Sequence, residues 1–263
     1  MSITPNKTFV YKRIPTRLPV AGDHVIVEDR PIDLDAPLDN GSFLIKGIYA
    51  SFDPYQRGGM RDPSIKNWLQ AYSLDSPVPT SVIGKVLKSA CPNFVVDDIV
   101  HVWFAAPTAE YGVIPAGVPA TKLDVPQGVD VAHFLGALGL PGLTAIRGLL
   151  DIGKPKKGEV IWQSKSSSNG NAKKQISEKN VPVQEQRGVR NMVQFTDKQL
   201  TMTGYLVDFT PESLQEFYET VIPMLQSGKL KAKLSITEGI ENAAEGFVGM
   251  LAGENFGKAV LKI

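Results

Sequence analysis

The feature that most constrains this fold is a polar stretch, residues 163–187, that follows the apparent start of an α/β sheet. Before it, residues 139–157 predict a helix that leads into a hydrophobic strand, Glu159 to Trp162. A nucleotide-binding sheet continues from such a strand with a glycine-rich turn and a helix. Residues 163–171 contain no G-x-G-x-x-G pattern, and the stretch has almost no apolar residue to bury. We therefore expect residues 163–187 to form a polar connection instead.

Length and charge narrow the possible classes of protein. The 263 residues could form one large domain or two ordinary ones, and they suffice for a sizeable core. The net charge of +1 gives no electrostatic reason to expect nucleic acid or an anionic membrane as a partner. No apolar run approaches the roughly 20 residues that a membrane span needs, and the N-terminus lacks the apolar core of a secretory signal. We expect a cytoplasmic protein.

Metal sites are not expected. Cys91 is the only cysteine, so the chain can have neither a disulfide framework nor a cysteine-based zinc site. His24, His101 and His133 are scattered along the chain without the spacing of metal ligands. Each is therefore expected to have an ordinary surface or core role.

The first half of the chain predicts an all-β domain. Short strands alternate with turn signals, which is typical of a small barrel or sandwich. The Asp97-Asp98 pair suits a hairpin turn before one of these strands. The predicted strands are residues 9–11, 24–28, 42–50, 81–87, 99–104 and 109–114. We assign residues 1–130 to this barrel domain.

From Val131 onward the pattern becomes mixed. Two helical segments, residues 132–138 and 143–150, are expected on either side of a break at Pro141-Gly142. Residues 200–207 alternate like a strand. We assign residues 131–207 to a helical bridge and a reduced α/β unit.

The C-terminal segment, residues 208–263, predicts a helix, a second helix and a strand. Thr210 is the expected N-cap of the first helix, with Pro211 at its first position and Gly228 closing it. The second helix is expected over residues 243–251 and the strand over 258–263. The predicted fold class is α+β or α/β, in which this segment completes the N-terminal domain.

Three sequence blocks resemble a known family. Residues 50–60 are similar to an S-x-D-P-Y-x-R-x-x-M loop; the other blocks are residues 139–153, which begin G-L-P-G-L-T-A, and residues 253–258, G-E-N-F-G-K. In this order they resemble the zinc-independent medium-chain dehydrogenases/reductases. The nearest branch contains the leukotriene B4 12-hydroxydehydrogenase/prostaglandin reductases and the alkenal double-bond reductases. The similarity covers residues 1–162 and about 188–263.

The resemblance implies a fold and an activity. The family joins a GroES-like β-barrel catalytic domain to a Rossmann domain, most of which would be missing here. It uses NADPH to add hydride to the β-carbon of an α,β-unsaturated carbonyl compound. The implied partner is thus a small enone or enal, and pairing through a late Rossmann strand would give a homodimer.

The resemblance also suggests a catalytic residue and several cofactor-binding ones. Tyr55 would lie near the substrate cleft, where its phenol could stabilise an enolate; alternatively it only packs the loop, with Asp53 and Arg57 paired to fix the shape. Thr144 would lie close to the nicotinamide or make an ordinary backbone contact. Asn255 would contact the cofactor or simply belong to a turn.

Further cofactor contacts are implied around the polar stretch. Ser177 and Lys179 fall in a segment similar to I-S-x-Y-N, with Lys179 in place of the tyrosine. Tyr205, Leu206 and Val207 match a strand beside the nicotinamide. The phosphate-binding turn, in contrast, has no counterpart after Trp162.

Two hypotheses about function follow. The first is an NADP(H)-dependent reductase of the C=C bond in α,β-unsaturated carbonyl compounds. The second is an inactive derivative or an incomplete gene model, which lacks the phosphate-binding turn and acts at most as an interaction protein. A complete Rossmann domain needs about 120 residues, whereas only residues 163–187 separate the first strand from the returning G-V-R-N segment, residues 188–191.

Overall fold

A computed structural model describes residues 3–67, 69–156, 193–197, 199, 205–207 and 209–263. The polar stretch, the strand expected before it, Ser177 and Lys179 lie outside these residues. Within the described ranges, no helix combines the length and apolar character that a membrane span requires.

The described part of the chain contains strands from both halves of the sequence. They are β1 (Ile3–Thr4), β2 (Lys7–Tyr11), β3 (Val25–Asp29), β4 (Ile32–Asp33), β5 (Phe43–Ser51), β6 (Ser76–Pro77), β7 (Pro79–Ser89), β8 (Ile99–Pro107), β9 (Tyr111–Ile114), β10 (Ala120–Lys122), β11 (Leu234–Glu238) and β12 (Lys258–Lys262).

The described helices are mostly short. They are α1 (Tyr55–Gly59), α2 (Leu140–Ile146), α3 (Val193–Asp197), α4 (Pro211–Gln226) and α5 (Ala243–Ala252). Two 3-10 helices cover Val131–Leu135 and Ile240–Asn242, and a π-helical segment, Arg147–Gly153, continues α2.

The largest sheet joins the two ends of the chain. Its strand order is β10-β8-β7-β5-β12-β11, and β9 also pairs with β5. β12 is antiparallel to β5 and parallel to β11, to which α5 connects it. A three-stranded sheet, β3-β2-β6, and the β1–β4 pair complete the described sheets. The fold is therefore α+β, and the C-terminal strands share a sheet with the N-terminal ones.

Two hydrophobic clusters hold these elements together. In the first, the rings of Phe9, Phe52 and Phe247 meet at centroid distances of 5.6 to 6.3 Å, which fixes α5 against β2 and the end of β5. In the second, Leu214 and Phe217 of α4 pack with buried residues that include Trp103 and Phe134. The helix α4 thus covers the outer side of β8 and of the 3-10 helix at Val131–Leu135.

Most of the predicted elements are confirmed. All six strands predicted in the first half are present. Asp97 has a left-handed φ of 74°, as a tight turn before β8 requires. Thr210 caps α4, since its Oγ1 accepts a hydrogen bond from the Ser213 amide at 3.2 Å. The helix α5 and the strand β12 lie within one residue of their predicted bounds.

The predicted break at Pro141-Gly142 is wrong. Pro141 lies in the first turn of α2, where the missing N–H costs nothing. Position 142 requires glycine for steric reasons, because a Cβ there would lie 1.9 Å from the Ala137 carbonyl oxygen. The helix predicted over residues 132–138 is a shorter 3-10 helix that ends at Leu135.

In the second half of the chain, the observed strands also differ from the predicted ones. Residues 205–207 belong to no strand, and the rest of the predicted strand at 200–207 lies outside the described residues. Conversely, β11 was not predicted from the sequence. Its partner is the parallel strand β12, with Leu234 opposite Lys258, so the strand depends on a contact across α5.

Candidate active site

The loop after β5 is held by a buried arginine. The guanidinium of Arg57 donates to the carbonyl oxygens of Pro15, Arg17 and Met60 at 2.7 to 3.0 Å. Burial lowers the pKa of Arg57. The expected pairing of Asp53 with Arg57 is therefore wrong, because main-chain carbonyls occupy the guanidinium.

Asp53 instead pairs with Lys258. The Lys258 Nζ lies 2.7 Å from Asp53 Oδ1 and also donates to the Phe52 carbonyl oxygen. Both residues are buried. Burial lowers the pKa of Lys258, and the charge of Asp53 opposes that shift. The other Asp53 carboxylate oxygen accepts from the Ser51 hydroxyl. This ion pair fastens the D-P-Y loop to the first residue of β12.

Tyr55 is the first residue of α1, two positions after Asp53. Its ring meets Phe104 edge-on, with centroids 6.1 Å apart. Its hydroxyl is buried beside the Thr80 hydroxyl, which donates to the Ser51 carbonyl oxygen at 2.6 Å. Burial, and then the charge of Asp53, raise the pKa of Tyr55 well above its usual value. The phenol is therefore neutral and available as a donor.

The three family-like blocks meet at one small cleft beside the ion pair. Its free volume, about 10 Å³, is the space of a single water molecule. The first block contributes Asp53 and Pro54, the second contributes Pro141, and the third contributes Asn255 and Lys258. The fold thus brings together blocks that are almost 90 and 110 residues apart in the sequence.

Asn255 stabilises the turn on which it lies. Its Nδ2 donates to the Gly257 carbonyl oxygen at 2.6 Å. Gly257 has a φ of 96°, and a Cβ there would lie 2.3 Å from the Lys233 carbonyl oxygen. Gly253 ends α5 in the left-handed conformation. The two glycines allow this tight turn, and the half-buried Asn255 amide borders the cleft.

Thr144 and Tyr205 are in direct contact. The Tyr205 hydroxyl donates to the Thr144 carbonyl oxygen at 2.6 Å. Gly148 makes room for it, because a Cβ there would lie 2.1 Å from the Tyr205 oxygen. Leu206 is 94% exposed, whereas Val207 packs against the second hydrophobic cluster. Two of the predicted cofactor residues are therefore adjacent, and Thr144 lies one helical turn beyond Pro141 at the cleft.

Lys258 belongs to the third family-like block, but its role was not predicted from the sequence. The sequence did indicate a role, because Lys258 lies between Gly257 and the apolar run Ala259 to Leu261. A lysine at such a position must either reach solvent or pair with a negatively charged group. Among the described residues, no group of His, Cys, Asp and Glu is arranged to hold a metal ion.

Comparison with known proteins gives a consistent family. Residues 7–115 match a model of the N-terminal domain of oxidoreductases. The chain is 27% identical to the NADP-dependent oxidoreductase RED1 of Cochliobolus heterostrophus, over 98% of this chain and 97% of that protein. It is 23% identical to the 2-alkenal reductase (NADP(+)-dependent) of Nicotiana tabacum, again over 98% of this chain and 97% of the relative.

A solved structure agrees with the fold. CurA from Vibrio vulnificus aligns over 98% of both chains with a TM-score of 0.76 and 21% identity. These matches support the resemblance to the zinc-independent medium-chain dehydrogenases/reductases, and the fold is α+β.

The alignments also reveal an internal difference in length. The match to the Cochliobolus protein runs over 345 positions and reaches both ends of the two chains, although this chain has 263 residues. More than 80 positions of that alignment therefore have no residue of this chain.

Proposed function

We propose that this protein is an NADP(H)-dependent oxidoreductase that reduces the C=C bond of an α,β-unsaturated carbonyl compound. The observation that carries the proposal is the meeting of the three family-like blocks at one cleft, whose lining residue Pro54 directly precedes Tyr55 in the chain. The names of two relatives, an NADP-dependent oxidoreductase and a 2-alkenal reductase, support the cofactor and the substrate class. The partner is then a small enone or enal.

We assign the nicotinamide end of the cofactor to described residues on α2 and around the cleft. Thr144 and Asn255 offer half-buried polar groups near the cleft, the Tyr205 hydroxyl donates to the Thr144 carbonyl oxygen, and Val207 packs against the second hydrophobic cluster. Leu206, Ser177 and Lys179 complete the proposed cofactor contacts. NADPH, when bound, supplies the hydride. The sequence offers no glycine-rich turn for its phosphates, so the contacts at the nicotinamide end would have to provide most of the binding.

Tyr55 is the proposed catalytic residue. Negative charge develops on a carbonyl oxygen when hydride reaches the β-carbon, and a positioned hydroxyl donor stabilises that charge. The Tyr55 hydroxyl is neutral at physiological pH, because burial and the charge of Asp53 raise its pKa. Because its oxygen is enclosed, the substrate reaches it only if the Tyr55 ring turns away from Phe104.

Cofactor binding is the first test. Purified protein is titrated with NADPH, and both the cofactor fluorescence and the quenching of tryptophan fluorescence are followed. We expect saturable binding, and turnover when cinnamaldehyde is added as a model enal. An absence of binding at millimolar NADPH would refute the proposal.

A second candidate function is favoured by the difference in length. A chain that lacks more than 80 positions of its relative could be an inactive derivative, or the product of an incomplete gene model, acting at most as an interaction protein. Sequencing the transcript across the codons for residues 160–190 distinguishes these cases. Recovery of a G-x-x-G turn would identify a gene-model error, whereas an unchanged transcript together with absent NADPH binding would support an inactive derivative. A cytoplasmic location and a homodimer remain predictions.

A further inference from the structure

A large cavity lies between helix α4 and the strands β8 and β10. Its volume is about 1090 Å³, the upper end of the range for pockets that hold small molecules. It shares no lining residue with the small cleft at Asp53 and Asn255. The cavity is therefore distinct from the cleft, although its lining residue Phe104 also packs against the Tyr55 ring.

The walls of this cavity are apolar and aromatic. Trp103 and Phe104 line it from β8, and the Phe209 ring meets both edge-on at 5.4 and 5.5 Å. On the opposite wall, Leu214 and Ile222 lie on one face of α4, eight residues apart. Such a surface excludes water and favours an apolar occupant.

One polar atom within these walls lacks a partner. Tyr218 lies between Leu214 and Ile222 on the same face of α4, and its ring packs edge-on against Phe134 at 5.5 Å. Its hydroxyl oxygen is buried and forms no hydrogen bond with a described residue. The other buried donor of the wall is satisfied, since the Trp103 indole N–H donates to Thr121 Oγ1 at 3.1 Å. A buried donor without an acceptor is rare and destabilising. Because the oxygen is enclosed, an acceptor on a ligand in the cavity reaches it when the Tyr218 ring shifts toward the cavity.

The charged groups are confined to the mouth of the cavity. Lys122, Asp124 and Glu219 line it but are exposed to solvent. Lys122 pairs with Asp98 at 2.7 Å, and Glu219 accepts a hydrogen bond from Gln215 at 2.9 Å. No charged side chain among the described lining residues lies in the interior, so a neutral ligand suits the cavity better than an ionic one.

We propose that this cavity binds a neutral, mainly apolar small molecule with a carbonyl or ether oxygen that accepts a hydrogen bond from Tyr218. The aromatic walls supply the affinity, and the hydroxyl selects for the oxygen. None of the lining residues is one of the proposed catalytic or cofactor-binding residues, so ligand binding can be tested without the reductase reaction.

The test uses Prodan, a fluorescent naphthyl ketone whose emission reports both the polarity of its surroundings and hydrogen bonding to its carbonyl. We expect saturable binding with a blue-shifted emission. Tyr218→Phe should weaken binding about threefold to tenfold and shift the emission further to the blue. Ile222→Trp, which fills the cavity, should abolish binding. Thermal unfolding of each variant shows whether the fold is intact.

Two matched variants make the test specific. Tyr11→Phe removes another buried hydroxyl without a partner among the described residues, in the first cluster and away from the cavity, and should bind Prodan like the original protein. Tyr55→Phe keeps the ring against Phe104 and tests whether the ketone binds at the proposed active site instead. The proposal is overturned if Prodan does not bind, if Tyr218→Phe binds with unchanged affinity, or if Tyr55→Phe is the variant that weakens binding. The last result would locate the ketone at the proposed active site instead.

Discussion

Lys258 and Asp53 are 205 positions apart in the chain and form a buried ion pair with 2.7 Å between Nζ and Oδ1. The pair joins the first residue of β12 to the loop that carries Tyr55. A buried charge is tolerated only when its partner and additional hydrogen bonds compensate the loss of hydration. Here the Phe52 carbonyl oxygen and the Ser51 hydroxyl supply those hydrogen bonds. The geometry of the candidate site therefore depends on this pair.

Replacement of Lys258 should be strongly destabilising. Lys258→Met keeps the length of the side chain but leaves the Asp53 carboxylate buried without its cation, so we expect a loss of about 3 to 5 kcal/mol in the free energy of unfolding. Urea unfolding measures it.

The matched control lies on the same strand. Lys262 pairs with Glu238 at 3.1 Å, but both side chains are exposed. Lys262→Met should therefore change the urea midpoint far less. Adding Asp53→Asn to Lys258→Met should recover part of the lost stability. Equal effects of the two lysine variants would show that the buried pair has no special role.

Only glycine should fit at position 257, because β11 approaches closely to the turn before β12. In Gly257→Ala the new Cβ would meet the Lys233 carbonyl oxygen, which belongs to the main chain and cannot easily move. The Lys258 amide, which donates to the same oxygen at 3.0 Å, would also be displaced. We expect a loss of at least about 2 kcal/mol of stability, measured by thermal or urea unfolding.

Gly128 provides a control for backbone strain alone. It has a similar φ of 79°, but nothing lies within 4 Å of an added Cβ. Gly128→Ala should therefore cost only about 1 kcal/mol. If both alanine variants lose the same stability, the clash with Lys233 is not the cause.

His101 should make stability dependent on pH. It is buried, stacks on Trp103 at 3.7 Å, and has no hydrogen-bond partner among the described residues. Burial lowers the pKa of His101 from 6.5 to about 3. The unfolded chain therefore binds a proton that the folded chain does not, and stability falls as the pH drops below 6.5, by up to about 1.4 kcal/mol per pH unit.

His101→Phe keeps an aromatic ring against Trp103 and removes the titrating group. We expect it to be neutral or stabilising near neutral pH, and to lose the part of the pH dependence between about pH 6.5 and 5 that precedes most carboxylate titration. Urea unfolding at several pH values compares the two proteins. If the free energy of unfolding of His101→Phe varies with pH as in the original protein, another group causes the pH dependence.

The sequence predicts local structure well where local rules decide it. The alternating strands of the first half and the Thr210-Pro211 start of α4 are fixed by neighbouring residues. β11 was missed because its short apolar run becomes a strand only through parallel pairing with β12. The break predicted at Pro141 was wrong for a local reason. A proline is compatible with the first turn of a helix, but in the sequence it resembles a helix breaker.

The candidate site was predictable only in part. The resemblance drew attention to Tyr55, Thr144 and Asn255, yet it could not show that Asp53 pairs with Lys258 rather than with Arg57. That choice depends on which carbonyl oxygens surround the guanidinium, and these come from residues 15 and 17, far from the loop in sequence. The partner of a buried charged group is decided by tertiary contacts between residues that are distant in the sequence.

The role of Tyr55 can be separated from its packing. Tyr55→Phe keeps the ring against Phe104 and removes only a hydroxyl that lacks a partner among the described residues, so we expect stability to stay unchanged or rise slightly. If the hydroxyl stabilises the developing enolate, kcat for NADPH-dependent reduction of an enal should fall about 100-fold, while KM changes little.

The control for this variant is Tyr11→Phe, which removes a comparably buried hydroxyl outside the site and should leave kcat unchanged. Steady-state rates of NADPH oxidation, with unfolding curves for both variants, make the comparison. A kcat for Tyr55→Phe within twofold of the original would mean that Tyr55 only packs the loop. Because the ring and the fold are preserved, such a result could not be attributed to a damaged site, and the donor would have to be sought elsewhere.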